Sequence, residues 1–383
     1  MLLSEYKSKE LLAQYGVAVP EGRIASSAEE AEAACARIDT RKFVVKAQIA
    51  AGGRGLAGGV KFAATPSSVR EEAARMLGTT LVTEQTGPAG EVVNAVYVEA
   101  ALDLKGQYFI AFALDPDSGF PMLLASSEGG VAFEQRARMD ADTVSTLVLT
   151  PDADLTAFLG PLGIASEVAE QMIRAACDAF TENEMTLLEI NPFAETRDGA
   201  WIAIDAKIAL DANAGFRHPE FASIAAEQKL SQPEEEAQKS NINFVPLAGD
   251  VGVVVNGAGL GLATNDMLVD AGGTPANFMD IRTTATSFDI ARGVEILLGQ
   301  PGVKAILVNV HGGGMTACDT VAEGIAFAYS RAKGAKLPVI ARLAGQNAAW
   351  GLNILRDRKV PVEVFDEMRG AVARVVDLAG EAR

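Results

Sequence analysis

The chain has 383 residues, 49% of them apolar, and its 50 Asp plus Glu outnumber 33 Lys plus Arg for a net charge of −17. At about 150 residues per domain, this is material for two or three domains with cores of their own. The acidic excess and the lack of any apolar run near 18 residues argue against nucleic acid and membrane as partners, though not against phosphate ligands.

The opening string MLLSEYKSKELLAQYG has an amphipathic helical pattern over Glu5 to Tyr15 and no long apolar stretch of the signal-peptide kind. Val17 to Pro20 reads as a short strand, and Ser26 to Ile38 as a serine-capped helix. Lys42 to Ile49 is a β-branched strand, followed by the loop AAGGRGLAGG, a strand at Val60 to Ala63 and a helix at Ser67 to Leu77. Val92 to Glu99, Tyr108 to Leu114 and Met122 to Ala125 follow strand upon strand, as in an antiparallel sheet. Helices are expected at about Asp154 to Leu162 and Ser166 to Thr181. A hairpin comes next, with MTLLEINPFAE and AWIAIDAKIAL joined by a turn at residues 196–199.

The composition then turns polar in KLSQPEEEAQKSN, which places a linker at 236–245 between domains 1–235 and 246–383. Beyond it, five strands alternate with helices: VGVVVNG, Pro275 to Met279, VKAILVNV, LPVIARL and a last one near Val362. That rhythm predicts a doubly wound parallel sheet of flavodoxin-like topology, so the chain joins α+β and α/β parts.

Three features carry chemistry. Five of the nine residues from Ala51 to Gly59 are Gly, so backbone N–H groups can approach phosphate while Lys46 and Arg54 supply charge. The spacing is not that of a P-loop, and a flexible hairpin tip is the plainer alternative. In the hairpin, Glu189 and Asn191 alternate onto one face of a greasy strand, and Asp205 lies in the next. An amide and a carboxylate oxygen so placed suit a nucleotide-bound Mg²⁺, which needs few hard protein ligands. A three-residue loop sets Asn191 opposite Asp205, whereas a two-residue turn separates their faces. Finally, VVVNGAGLGLATND and LVNVHGGGMTACD put Gly-rich turns at two strand carboxyl ends, the ligand-binding edge of open parallel sheets. Only two histidines exist, so a three-histidine metal site is excluded. His218 reads as structural, and His311 as either packing or substrate contact. Cys35, Cys177 and Cys318 form neither a CxxC pair nor an even framework and read as reduced thiols of a cytoplasmic or matrix-like compartment.

Taken together, EYKSKELLAQYGVAVPEG, VVKAQ with AGGRG, VEAALD, ASSEGGV, LLEINP, IDAK, DANAGFRHPE, VNGAGL, GGTPANFMD and VKAILVN resemble the β subunit of succinyl-CoA synthetase nearly end to end. The resemblance implies an N-terminal ATP-grasp domain, a flavodoxin-like CoA-ligase domain and an acid–CoA ligase activity that consumes ATP or GTP. By that analogy Lys46, Gly53, Arg54 and Gly55 hold the nucleotide phosphates, with Glu99, Leu102 and Gln107 nearer base and ribose. Asn191 and Asp205 ligate Mg²⁺, and Glu189 is the catalytic carboxylate that meets a phosphorylated histidine. Asn256 and the Gly313-Gly314-Met315 turn contact the organic acid. The histidine and the CoA site belong to a partner α subunit in an αβ or (αβ)₂ assembly.

Four departures stand out. Where the family continues ANFMD with three glycines, this chain has Ile281-Arg282-Thr283-Thr284, and its HGGGMTACD turn is one residue longer. Gln107 replaces a usual acidic residue, and Leu56 a common lysine. Arg282 adds a bidentate guanidinium beside the acid region, which implies an acid other than succinate, or not succinate alone, with an added polar or anionic group. Two rival readings are a nucleotide-binding subunit without turnover and a self-sufficient ATP-grasp ligase.

Overall fold

In the computed structural model, residues 1–383 are described except 50–51, 87–89, 131–132, 134–135, 137–139, 222, 225–231, 241, 315, 333–336 and 382–383. The chain forms two units, Met1–Gln228 and Lys229–Arg383.

Within the first unit, the strands β1 (Gly22–Ala25), β2 (Phe43–Ala47), β3 (Val60–Ala63), β4 (Thr80–Leu81), β5 (Glu91–Val92) and β6 (Val96–Ala100) come first. Four of them make an antiparallel sheet in the order β1-β6-β2-β3. Helices Ala28–Ala34 and Pro66–Met76 cover it, and the core between them gathers Val45, Val69, Ala73, Val96 and Val98. Next come β7 (Leu104–Leu114), β8 (Pro121–Ser126), β9 (Ser145–Val148), β10 (Met185–Thr196), β11 (Trp201–Ala203) and β12 (Ala206–Leu210). They form a second antiparallel sheet, β11-β10-β7-β8-β9, with β12 also on β10. The helix Glu167–Glu182 presents Ala169, Met172, Ile173, Ala176 and Phe180 to this sheet's core at helical spacing.

Local expectations differ from the structure in instructive places. Val17 to Pro20 is not a strand. The first helix, Glu5–Gln14, ends at Gly16 (φ +87°), and the N–H of Val17 folds back onto Leu12 O at 3.1 Å, so the chain leaves in a cap. Pro20, with no N–H, cannot join a ladder there, and pairing begins at Gly22. The stretch from Val92 to Glu99 is divided between β5 and β6, because Val93 and Val96 both bury toward the first core around Asn94 and Ala95.

The hairpin register came out as the three-residue loop requires. Phe193 faces Ala203 and Ile190 faces Ala206, so Asn191 falls opposite Asp205 and its N–H donates to Asp205 O at 3.2 Å. Gly199 takes φ +88° in the loop, which a side chain there would resist.

The second unit holds β13 (Asn243–Pro246), β14 (Val251–Val255), β15 (Asn277–Asp280), β16 (Ala305–Gly312), β17 (Val339–Gly345) and β18 (Val362–Val364). The order β15-β14-β16-β17-β18 is parallel, with β13 antiparallel on the β15 edge. Five parallel strands in the order 2-1-3-4-5 are the flavodoxin-like arrangement, and its switch point lies between β14 and β16.

The stretch 236–245 is not a linker. It carries the end of the helix Gln232–Lys239 and most of β13, because Ala237, Ile242 and Phe244 anchor in the second unit's core. The charged residues among them occupy the outer face and conceal this in a composition reading.

Candidate active site

From Gly52 to Gly59 the Gly-rich segment is closed by hydrogen bonds. Gly59 N–H bonds to Arg54 O at 2.8 Å, Ala57 N–H to Gly53 O at 3.3 Å, and Gly52 N–H to Gln85 Oε1 at 2.8 Å. Gly53 sits at φ +79°, which L side chains rarely adopt. Under this turn opens a cavity of about 250 Å³ walled by both sheets of the first unit. Lys46, Gly53, Arg54, Gly55, Glu99 and Leu102 line it together with Asn191 and Asp205. Val44, Val60, Phe62, Leu104 and Ile204 supply apolar wall. A smaller adjoining cavity of about 90 Å³ shares Gly53, Arg54, Asn191 and Asp205 and adds Glu5, Gly52, Glu189 and Lys207.

Charge in this region is concentrated and balanced. Lys9, Lys46 and Arg54 face Glu5, Glu99 and Asp205 in one connected network. Lys46 Nζ reaches Glu5 at 2.8 Å, Glu99 at 2.5 Å and the carbonyl of Ile204 at 3.1 Å. Arg54 donates to Asp205 Oδ2 at 2.8 Å and to Ala47 O at 3.1 Å, and also contacts Glu5. Burial pushes the Lys46 ammonium toward neutrality, but Glu5, Glu99 and Asp205 outweigh it and hold the group charged well above the usual lysine range. Burial likewise opposes ionisation of Glu5, yet Lys46, Lys9 and Arg54 hold its carboxyl well below the usual range.

Glu189 and Lys207 face each other across β10 and β12 at the rim of the smaller cavity. Asn191 Oδ1 accepts from Gly130 N–H at 2.6 Å, and Asp205 leaves 37% of its side chain exposed. Among the described residues no group of three or more His, Cys, Asp or Glu side chains could hold a metal unaided. One amide and one carboxylate oxygen on the same cavities fit a Mg²⁺ that arrives with nucleotide phosphates and keeps several waters.

Not every expected residue joins this group. Gln107 is exposed on β7 opposite Ala194 and does not line the larger cavity. Glu99 lines it, but its carboxylate is engaged by Lys9 and Lys46. Reading the sequence missed Glu5 and Lys9. With Ser8 and Leu12 they form the buried face of the first helix, and their i, i+4 spacing on the inward stripe was the available signal.

In the second unit, the loops at the switch point come together. Asn256 uses both amide atoms on the main chain of His311, accepting from its N–H at 2.9 Å and donating to its carbonyl at 2.7 Å. Gly257 N–H donates to Asp280 Oδ1 at 2.6 Å. The turn closes by a pair of bonds between Gly313 and Thr316, and Thr316 Oγ1 donates to Thr283 O at 3.3 Å. Arg282 lies on that same loop and donates through Nε and Nη2 to Asn243 Oδ1 at 3.1 and 2.9 Å. Met315 lies outside the described residues. His311 is exposed. His218 is held between Glu184 at 2.8 Å and Glu220 at 3.1 Å, with its ring stacked on Phe221.

An antiparallel two-sheet nucleotide cleft followed by a doubly wound parallel sheet defines an ATP-grasp ligase with a CoA-ligase domain. Family models for the ATP-grasp domain and for CoA-ligase match residues 2–195 and 254–376. The succinate–CoA ligase (ADP-forming) subunit beta of Ralstonia nicotianae is 40% identical over 99% of each chain, and that of Chlorobium luteolum 41% over 98% of each. Among solved structures, the ATP citrate lyase of Methanothrix soehngenii in complex with citrate and coenzyme A shares the fold, with a TM-score of 0.74 over 99% of each chain at 20% identity. The chain therefore belongs to the β-subunit family of ADP-forming succinate–CoA ligases, enzymes that form acid–CoA thioesters.

Proposed function

We propose that this β subunit supplies the nucleotide cradle and part of the acyl pocket of a ligase, while a partner α subunit carries the CoA site and a phosphohistidine. Small acid, CoA and phosphohistidine interconvert through an acyl phosphate, and the histidine exchanges its phosphoryl group with ADP or GDP in the ATP-grasp domain. Lys46 and Arg54 offset phosphate charge, Gly53 and Gly55 let the backbone approach, and Glu189 meets the visiting histidine. Leu102 and the apolar wall face the base. Asn191 and Asp205 would hold Mg²⁺, which adds charge compensation on the phosphates. The observation that carries this reading is the gathering of Lys46, Arg54, Asn191 and Asp205 around one cleft under the Gly-rich turn.

The test uses the chain purified with its α partner. Labelled ATP is expected to phosphorylate the partner, and acid-dependent ADP formation to require both chains. Thioester synthesis by the isolated chain would establish the self-sufficient ligase instead. A partner left unlabelled under all conditions would favour the subunit without turnover.

The acid itself departs from succinate in this reading. Arg282 donates to Asn243 through Nε and Nη2, and its loop is tied through Thr283 to the Gly313–Thr316 turn, so an arginine stands on the loop next to the region assigned to the acid, where the family has glycines. A hydroxylated, sulfonated or otherwise more polar acid is the expected substrate. In an acid panel Arg282→Gly should lower kcat/KM for that acid at least tenfold relative to succinate. An undiminished preference for succinate in both proteins would refute it.

A further inference from the structure

The buried network contains more than a phosphate site needs. One cation would neutralise Glu5, and Lys9, four residues on in the same helix, already reaches its Oε1 at 2.8 Å. Yet Oε1 also takes Lys46 at 2.8 Å, while Oε2 contacts Arg54 and accepts from Gln48 Nε2 at 3.2 Å. The two cations that line the larger cavity are thus held from behind by opposite oxygens of one carboxylate.

That carboxylate is rooted on the second sheet. Met1 donates from its amino group to Leu210 O at 2.6 Å, and Leu3 N–H to Ile208 O at 2.9 Å, which sews the start of the first helix to β12. Its partners, in contrast, lie on the first sheet and its turn: Lys46 on β2, Arg54 in the Gly-rich segment. Glu5 therefore ties the two sheets together at the floor of the cleft.

We propose that Glu5 is a positioning residue for the nucleotide pocket, anchoring Lys46 and Arg54 with its two oxygens while Lys9 braces it from below. The inference rests on the nucleotide reading above. It also gives the guanidinium two anchors: Arg54 donates to Oδ2 of Asp205, the carboxylate assigned to the metal, and contacts Oε2 of Glu5, so Glu5 holds it in the site whichever partner Asp205 takes.

The experiment measures ADP binding calorimetrically in EDTA, with the full chain and its co-purified partner, so that neither turnover nor metal enters the readout. Glu5→Gln is expected to raise the ADP Kd about tenfold or more. Arg54→Met should do the same, and the double variant should lose clearly less than the product of the two effects, because one change removes the guanidinium that the other only unanchors. If Glu5→Gln cannot be isolated folded, Glu5→Asp replaces it. The shorter side chain keeps the charge but cannot span both cations, and a Kd raised severalfold is expected. A Kd equal to that of the unaltered protein for the Glu5 variant, or effects that multiply in the double variant, would overturn the positioning role while leaving the nucleotide site intact. Absence of ADP binding by the unaltered complex would instead bring down the nucleotide reading, and this inference with it.

Discussion

Asp205 and Glu5 lie two contacts apart but face different conditions. Asp205 is more than a third exposed at the cleft, whereas Glu5 is buried behind it. Asp205→Asn should therefore cost less stability than Glu5→Gln, because its own carboxylate is partly solvated and Arg54 keeps Glu5 as a partner, while lowering ATP-dependent phosphorylation of the partner at least tenfold. Urea denaturation and a labelling assay separate the two effects. Glu5 behaves in the opposite sense. Its carboxyl is held well below its ordinary value of 4.5, so the stability it contributes is complete above about that pH and is lost as pH falls through the folded value. Melting temperature followed from pH 7 to pH 3 should fall more steeply in the unaltered protein than in Glu5→Gln, and parallel curves would contradict the assignment. Breaking a buried pair of this kind costs roughly 3–5 kcal/mol at neutral pH.

Side chains also complete elements that the backbone leaves unfinished. Between β14 and β15 the regular pairing is confined to Val255 with Asp280 and a bridge from Val251 to Pro275. Asn277 fills the gap, its amide accepting from Val253 N–H and donating to Val253 O, both at 2.9 Å. Asn277→Ala strands two buried backbone groups, and a loss of about 2–5 kcal/mol is expected in urea denaturation. A change below about 1 kcal/mol would mean that the strands re-pair without it. The same scale shows why the linker reading failed. In 236–245 only every few residues are apolar, and composition averages them away, although Ala237, Ile242 and Phe244 reach the core. The hairpin was more legible. Its alternation named both polar faces, and the remaining choice between loop lengths was settled by the pairing of Phe193 with Ala203.

At the scale of the molecule, each unit has its own apolar clusters, and the second holds two, one on each side of its sheet. Residues 229–383 expressed alone should unfold cooperatively in urea, with a slope that matches their size. A broad, non-cooperative transition would show that this unit depends on the first. The alternation of strands and helices, the Gly-rich turns and the strand-borne Glu189 and Asn191 were readable in the chain, because periodicity and glycine placement are local properties, whereas Asp205, expected in a strand, sits in the bend between β11 and β12. The sequence by itself therefore determined the class of each half and most of the residues at the cleft. Only the tertiary structure decided that Glu5 and Lys9 of the first helix complete the ionic floor beneath Lys46 and Arg54, and that Asn243 steers Arg282. Glu5 and Lys46 are 41 positions apart in sequence and Asn243 and Arg282 are 39 apart, and a buried charge finds its partner by folding geometry, which no local pattern encodes.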